Sequence, residues 1–239
     1  MKIEICCGSY RDALVAAKAN AKRIELNSAL ALGGLTPSVA TLKLIKAKTD
    51  LEVICMVRPR SGGFNYEESE IEECFVNAQA LLENGADGIA FGFLKSDRSV
   101  DIENVRKMVS LIHNFGKVAV FHRAIDVTTN YLKSIESLVE CGVDRILTSG
   151  GAAKAMLGLD NLALAQKQYG EKIEIVAGSG VNASNAKMII KACGVNQIHS
   201  SCRKEFIDLT ASNEKVTFFN QYEGVDYDLA LALVMNSYD

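Results

Sequence analysis

No apolar run in this chain of 239 residues approaches the length of about 18 that a membrane-spanning helix needs. Residues 1–6 alternate as a strand does and lack the apolar core of a secretory signal peptide. The chain also lacks an excess of one charge, because 26 Lys and Arg stand against 29 Asp and Glu, whereas nucleic-acid binders usually carry a basic excess. These absences predict a cytoplasmic protein with neither a membrane nor a nucleic-acid partner.

Only two prolines occur, and no linker or low-complexity segment divides the chain. Hydrophobic residues make up 49% of it, and about 250 residues is the usual length of one (β/α)8 barrel. We therefore expect a single domain over 1–239, with a C-terminal extension and a closing helix over 203–239. The closing helix is predicted from Val225, Leu229, Leu233 and Met235.

The seven cysteines show no CxxC or comparable chelating spacing. Their number is odd, and most of them stand in apolar segments of a chain without an export signal. Such cysteines are typically reduced thiols that pack as small hydrophobic side chains.

Eight short β-branched runs alternate with amphipathic segments, which is the pattern of repeated βαβ units. The predicted strands are 2–6, 22–26, 52–57, 88–92, 117–122, 144–148, 173–177 and 196–200. Within 67–84, apolar residues recur at helical spacing. The fold class is therefore α/β, a single-domain (β/α)8 TIM barrel.

An internal sequence repeat supports this count, because a similar segment stands at the start of every second strand. In three of its four copies a glycine (Gly85, Gly142 or Gly194) stands where a helix must end in a left-handed turn. A four-fold recurrence of two βα units favours a closed barrel over an open sheet.

The working face of such a barrel is at the C-terminal ends of its strands, and polar residues gather there. Gly178, Ser179 and Gly180 follow strand seven, and Ser200 and Ser201 stand at the end of strand eight. Glycine loops at these two strands commonly bind phosphate, since backbone N–H groups can approach an anion. The alternative is a tight turn that needs glycine for its own geometry.

A second group of polar residues contains Arg58 and Arg60 beside a glycine-rich loop. Two guanidinium groups could clamp a carboxylate or a phosphate. The alternative is that Arg58 neutralises buried carboxylates, namely Glu4 or Glu25, if strand alternation turns these inward.

A third group contains His122, Arg123 and Asp126, which could form an acid–base set. The alternative is a hydrogen-bonded core histidine. His199 ends strand eight, which neighbours strand one in a closed barrel. It could therefore lie near Cys6, and a soft metal ion would accept thiolate and imidazole ligands.

Seven motifs stand in order along residues 1–202 of the chain. They are IEICC (3–7), RIEL (23–26), GGLTPS (33–38), RPR (58–60), FHRA (121–124), RILTSG (145–150) and IHSS (198–201). Together they resemble the CutC family. The resemblance implies a cytoplasmic (β/α)8 barrel, commonly a homo-oligomer, named for copper tolerance and proposed to bind Cu(I) through cysteine. The family's first-strand cysteine corresponds to Cys6.

The second strand departs from the family's commoner pattern, which ends in Glu-Leu-Cys where this chain has Glu25-Leu26-Asn27. Cu(I) prefers soft ligands, and asparagine is a hard one. Cys7 should point away from Cys6, because adjacent strand residues face opposite sides. His199 is the hypothesis for the missing ligand.

Two functions follow as alternatives. The first is a copper homeostasis protein that binds Cu(I) through Cys6 and His199. The second is an enzyme (isomerase, lyase or aldolase-like) that acts on a small phosphorylated or carboxylated metabolite, with Glu25 or His122 as proton carrier. No lysine stands at a strand end, which argues against a Schiff-base aldolase. A third alternative is an inactive barrel that serves in assembly.

Overall fold

The computed structural model describes residues 1–236 and contains a closed barrel of eight parallel strands. The strands are β1 (Lys2–Cys7), β2 (Arg23–Leu26), β3 (Glu52–Met56), β4 (Gly88–Phe91), β5 (Val118–Phe121), β6 (Arg145–Thr148), β7 (Glu174–Ala177) and β8 (Gln197–Ser200). Each strand pairs with the next along the chain, and β8 pairs with β1. The (β/α)8 fold is confirmed, and every predicted strand agrees to within one residue at either end.

Helices follow the strands around the outside of the barrel. They are α1 (Tyr10–Lys18), α2 (Val39–Lys48), α3 (Glu68–Glu83), α4 (Ile102–Asn114), α5 (Tyr131–Glu140), α6 (Leu159–Tyr169), α7 (Ala186–Cys193) and α8 (Tyr227–Met235). The helix predicted over 67–84 is confirmed as α3. Ser9, Ser38 and Asn130 accept backbone N–H groups at the starts of α1, α2 and α5 and so supply N-caps. Within residues 1–236, no helix combines the length and apolar character needed to cross a membrane.

The three glycines of the internal sequence repeat adopt the left-handed conformation expected of them. Their φ angles are +97° at Gly85, +79° at Gly142 and +74° at Gly194. A residue with a Cβ atom is strained at such angles. These turns send the chain from each helix back into the barrel at β4, β6 and β8.

The core has two layers, because barrel strands are buried on both faces. The larger layer lies between the strands and the helices. A small cluster of Ile54, Met56, Ala90 and Val120 fills part of the barrel interior. Arg23 and Arg145, which begin β2 and β6, are buried at the opposite end of the barrel from the C-terminal mouth.

The polar stretch after β8 forms a structure that the sequence patterns did not predict. Residues Arg203–Ile207 (β9) and Gln221–Val225 (β10) pair as an antiparallel hairpin, which we call the arm. Val225 therefore ends a strand, and the expectation that it belongs to the closing helix is wrong. Asp12 of α1 fastens the base of the arm, since its Oδ1 accepts the Val225 N–H at 2.9 Å.

Candidate functional site

Cys6, Glu25 and His199 meet at the C-terminal mouth of the barrel. β1 lies between β2 and β8, and its register places Cys6 beside Glu25 and Glu4 beside His199. Cys6, Glu25 and His199 line a cavity of about 330 Å³ in the barrel mouth. A larger cavity, of about 610 Å³, lies between the arm and the ends of β1 and β2, away from these three side chains.

One ligand atom from each of Cys6, Glu25 and His199 lies within 4.8 Å of the other two. Cys6 Sγ is 3.8 Å from Glu25 Oε2, and His199 Nε2 is 4.0 Å from the same oxygen. Burial raises the pKa of the Cys6 thiol and that of the Glu25 carboxyl. A thiol, a carboxylate and an imidazole at these distances could hold a metal ion or transfer a proton.

Glu4 orients the imidazole of His199 from below the cluster. Its Oε1 lies 2.8 Å from His199 Nδ1, and its Oε2 forms an ion pair of 2.8 Å with Arg23 Nε. Burial opposes ionisation of Glu4, but the His199 hydrogen bond and the Arg23 charge outweigh it and lower the pKa to about 2. Glu4 is therefore a carboxylate that leaves Nε2 of the ring facing Cys6 and Glu25.

The charge of His199 follows from its neighbours. Burial alone would lower the pKa of its imidazole, but contact with Cys6 and the carboxylates of Glu25 and Glu4 raises it well above the usual value. In the metal-free chain the ring is a cation held between two carboxyl groups. A metal ion at Nε2 would have to displace that proton.

Asn27 takes the place of a second thiol but contacts the same cluster. Its Nδ2 donates to Glu25 Oε2 at 2.9 Å and lies 3.5 Å from Cys6 Sγ. The amide therefore acts as a hydrogen-bond donor that holds the Glu25 carboxyl in place.

A second part of the cavity lining, which we call the cationic wall, contains Arg58. Arg58 Nη1 donates to the carbonyls of Leu32 and Gly34, and Nη2 donates to that of Gly62. No carboxylate within residues 1–236 forms an ion pair with Arg58, so the expectation that it neutralises Glu4 or Glu25 is wrong. Arg23 pairs with Glu4 instead.

His122 lies on the same wall and is 3% exposed. Its Nδ1 accepts the Ala124 N–H at 3.2 Å. Burial, with the nearby Arg58 charge, lowers the pKa of the ring to about 3. His122 is therefore neutral near pH 7, and because Nδ1 is an acceptor, the ring proton is assigned to Nε2.

Arg123 lines the cavity, but Asp126 does not. Asp126 accepts hydrogen bonds from Thr148 Oγ1 at 2.6 Å, from Gly151 N at 3.0 Å and from Arg123 Nε at 2.8 Å. Its carboxylate ties the segment after β5 to the loop after β6. The structure thus places Asp126 as a support for Arg123 and separates it from His122.

Arg60 is drawn away from the cavity by Glu70. The two side chains form a two-point contact, of which Nη2 to Oε2 measures 3.0 Å. The Arg60 guanidinium also lies 5.2 Å from the Tyr66 ring centroid. Arg58 therefore lines the cavity, whereas Arg60 contacts Glu70 and Tyr66 and is not part of the cavity lining.

The loop 178–180 forms at the end of β7, with its polar side chains bonded to the backbone. Ser179 Oγ donates to Ala153 O at 2.9 Å, and Ser200 Oγ donates to Val181 O at 2.6 Å. Ser201 is half-buried beside them. Lys154 packs on Gly180, where an added Cβ would lie 3.2 Å from Lys154 Cδ. Sequence reasoning missed this lysine because it stands six residues beyond the end of β6.

The family model of the CutC family matches residues 1–204 of the chain. A protein from Treponema denticola that carries the name "family protein CutC" is 48% identical over 204 residues, which are 85% of this chain and 82% of that protein. A protein of the same name from Aliivibrio fischeri is 39% identical over 201 residues, which are 84% of this chain and 81% of that protein.

Solved structures agree with these sequence matches. The crystal structure of a CutC protein from Streptococcus agalactiae has a TM-score of 0.79 and 30% identity, and the match covers 84% of this chain and 98% of that one. A 3-hexulose-6-phosphate synthase from Salmonella typhimurium has a TM-score of 0.66 at 16% identity, with 100% of this chain and 99% of that one covered. That second likeness shows the barrel fold alone, whereas the family match and the close relatives show that the chain belongs to the CutC family.

Proposed function

We propose that the chain is a copper homeostasis protein that binds Cu(I) at the barrel mouth through Cys6 Sγ and His199 Nε2. The observation that carries this proposal is the convergence of Cys6, Glu25 and His199 within 4.8 Å. The name of the Streptococcus agalactiae relative connects that protein with copper homeostasis.

The donor set suits a soft or borderline metal ion. Thiolate and imidazole are ligands that Cu(I) accepts. His199 Nδ1 faces the Glu4 carboxylate at 2.8 Å, and this carboxylate–histidine arrangement is the usual support of a metal-bound imidazole. Glu25 offers an oxygen, which Zn(II) accepts more readily than Cu(I) does. Selectivity between these two ions is therefore part of the test.

The test is an anaerobic titration of the purified protein with Cu(I) against a competing chelator, repeated with Zn(II). We expect one Cu(I) per chain, with affinity reduced a hundredfold or more in Cys6→Ser and in His199→Gln. Cys141→Ser is the matched control, because Cys141 is a buried free thiol at the end of α5. Equal affinity in Cys6→Ser and the wild type would exclude the proposed site, and a preference for Zn(II) would exclude copper as its cargo.

A second candidate is an enzyme that acts on a small phosphorylated or carboxylated metabolite in an isomerase, lyase or aldolase-like step. It is favoured by a cavity lining that combines the Glu25 carboxyl with the Arg58 guanidinium and the His122 imidazole. Glu25, whose pKa is raised by burial, would accept a proton from carbon. A phosphate group would bind at the 178–180 loop beside Lys154.

This candidate is tested in D2O with a panel of small keto acids and sugar phosphates, and with NMR detection of deuterium at carbon. We expect exchange of one C–H position in one substrate class. Exchange should disappear in Glu25→Gln and persist in Cys141→Ser. No exchange with any member of the panel would count against an enzyme of this kind.

We also propose a cytoplasmic homo-oligomer. Seven free cysteines, six of them buried, suit a reducing compartment. The loop 208–220 between β9 and β10 exposes large apolar side chains at Leu209, Phe218 and Phe219, and such patches commonly form interfaces. Light scattering should give a mass above 25.9 kDa, reduced to the monomer in Phe218→Ser/Phe219→Ser. A monomeric wild type would contradict the proposal.

A further inference from the structure

We infer that the cavity at the barrel mouth binds a small monocarboxylate, one oxygen of which accepts a hydrogen bond from His122 Nε2–H beside the Arg58 guanidinium. This inference names the ligand class of the second candidate function and rests on that candidate for its catalytic purpose. The binding itself depends on the cationic wall alone.

The first observation is an unsatisfied donor. His122 Nδ1 is occupied by the Ala124 N–H, so the ring proton sits on Nε2. That nitrogen is buried and has no hydrogen-bond partner within residues 1–236. A buried donor without an acceptor destabilises a protein. A ligand oxygen at this position would satisfy it.

The second observation is an uncompensated charge. Arg58 is 7% exposed, and its guanidinium donates to three backbone carbonyls. A buried guanidinium normally faces a carboxylate or a phosphate. In this barrel no carboxylate of residues 1–236 pairs with it, and the cavity is the place from which an anion can reach it.

The charge count favours a carboxylate over a phosphate at this wall. A carboxylate carries one negative charge, which matches the single charge of Arg58. A phosphomonoester carries about −1.5 to −2, and neutral His122 adds no second cation. Arg123 also lines the cavity, but Asp126 already neutralises it at 2.8 Å.

The rest of the lining sets the size and polarity of the ligand. Leu30, Met56, Phe64 and Leu147 contribute apolar surface to the cavity. The cavity of about 330 Å³ is at the lower end of the range of about 300–1,000 Å³ that is usual for small-molecule sites. A carboxylate with a short apolar chain fits both conditions.

The Phe64 ring packs beside both groups. Its ring centroid lies 5.0 Å from that of His122, and Arg58 Cζ lies 5.3 Å from the same ring centroid. Phe64 follows Gly62, which has a φ of +91°, and Gly63, whose added Cβ would meet no atom within 4 Å. Because Nε2 is buried, the proposal requires the Phe64 ring to shift on this glycine-containing loop and admit the ligand oxygen.

The experiment titrates the full chain with butyrate, with neutral butyramide and with inorganic phosphate. Calorimetry measures affinity, and histidine-selective ¹⁵N NMR follows the Nε2–H signal of His122. We expect butyrate to bind at least tenfold more tightly than butyramide or phosphate and to shift that signal. His122→Leu should weaken butyrate binding roughly tenfold to a hundredfold, as expected for a charge-assisted hydrogen bond. His122→Gln, which keeps a side-chain N–H, should recover part of the loss.

His113→Leu is the matched control, since His113 lies on α4 and contacts Asp144 at the surface. Equal binding of butyrate and butyramide, tighter binding of phosphate, or an unchanged Nε2–H signal would each overturn the inference. If His122→Leu fails to fold, the NMR shift in the wild type and the His122→Gln affinity decide the question. Butyrate binding together with no exchange in any member of the D2O panel would count against the enzyme and still support the binding site.

Discussion

Glu4 and His199 stand 195 residues apart in the chain, yet Glu4 Oε1 lies 2.8 Å from His199 Nδ1. The contact joins the first strand of the barrel to the last and fixes the ring that faces Cys6. Glu4 is in turn held by Arg23, which donates to Gln197 Oε1 at 2.7 Å. The candidate site is therefore supported from beneath by a buried polar network.

Arg23→Met should destabilise the barrel by up to about 3–5 kcal/mol, because the buried Glu4 carboxylate loses one of its two cationic partners and keeps only His199. The side chains of Arg23 and Glu4 are 4% and 3% exposed. Urea unfolding measures the loss, and the double variant Glu4→Gln/Arg23→Met should regain part of it. Lys107→Met, which breaks an exposed pair with Glu103, should change the midpoint little. An unchanged midpoint in Arg23→Met would contradict the prediction that the Glu4 carboxylate needs Arg23.

Asn27→Cys should raise Cu(I) affinity at least tenfold. Asn27 Nδ2 already lies 3.5 Å from Cys6 Sγ, so a thiolate there would add a second soft ligand. The chelator competition described above measures the gain, and Asn27→Ser is the control for loss of the amide. The gain should vanish when Cys6→Ser is added. Unchanged affinity in Asn27→Cys would place Cu(I) elsewhere in the chain.

Gly92→Ala should displace the His122 ring and destabilise the fold by about 1–3 kcal/mol, the usual cost of overpacking. A Cβ at Gly92 would lie 2.5 Å from His122 Cε1, and the ring is buried and cannot retreat to solvent. Thermal unfolding and the His122 ¹⁵N spectrum check both effects. Gly63→Ala is the control, since its Cβ would meet no atom within 4 Å. Equal effects of the two substitutions would contradict the packing argument.

Glu174→Gln should cost more stability at pH 6 than at pH 3. Burial opposes ionisation of Glu174, but hydrogen bonds from Gln197 and Arg145 and the Arg145 charge outweigh it and lower the pKa to about 2. Because the folded-state pKa is below the unfolded value of 4.5, the contribution is complete above that value and is lost as pH falls towards 2. Urea midpoints of both proteins at the two pH values give the comparison. A stability difference between the wild type and Glu174→Gln that grows as the pH falls would contradict the predicted direction.

Much of the fold could be predicted because each strand of a closed parallel barrel is buried on both faces. Such strands appear as short apolar runs, and glycines at Gly85, Gly142 and Gly194 mark where helices end. The arm could not be predicted, since β9 and β10 are polar and a loop of 208–220 separates them. No short turn motif in the sequence predicts that hairpin.

The candidate site was predicted in part. The neighbourhood of Cys6 and His199 follows from barrel closure alone. The partner of Glu4 depends on the β1–β2 register, which sets Glu4 beside Arg23, and alternation within one strand does not define that register. Arg58 was predicted at the right strand end, but its three carbonyl partners belong to loops whose paths no sequence pattern describes.

The pairing of β1 with β8 also has a consequence during synthesis of the chain. Ribosomes add about 5–20 residues per second, so the 195 residues between Glu4 and His199 take roughly 10 to 40 s to emerge. Throughout that interval Cys6 and Glu25 lack the imidazole that completes their cluster. The cluster of Cys6, Glu25 and His199 therefore cannot assemble in the nascent chain until translation has passed β8, the last barrel strand.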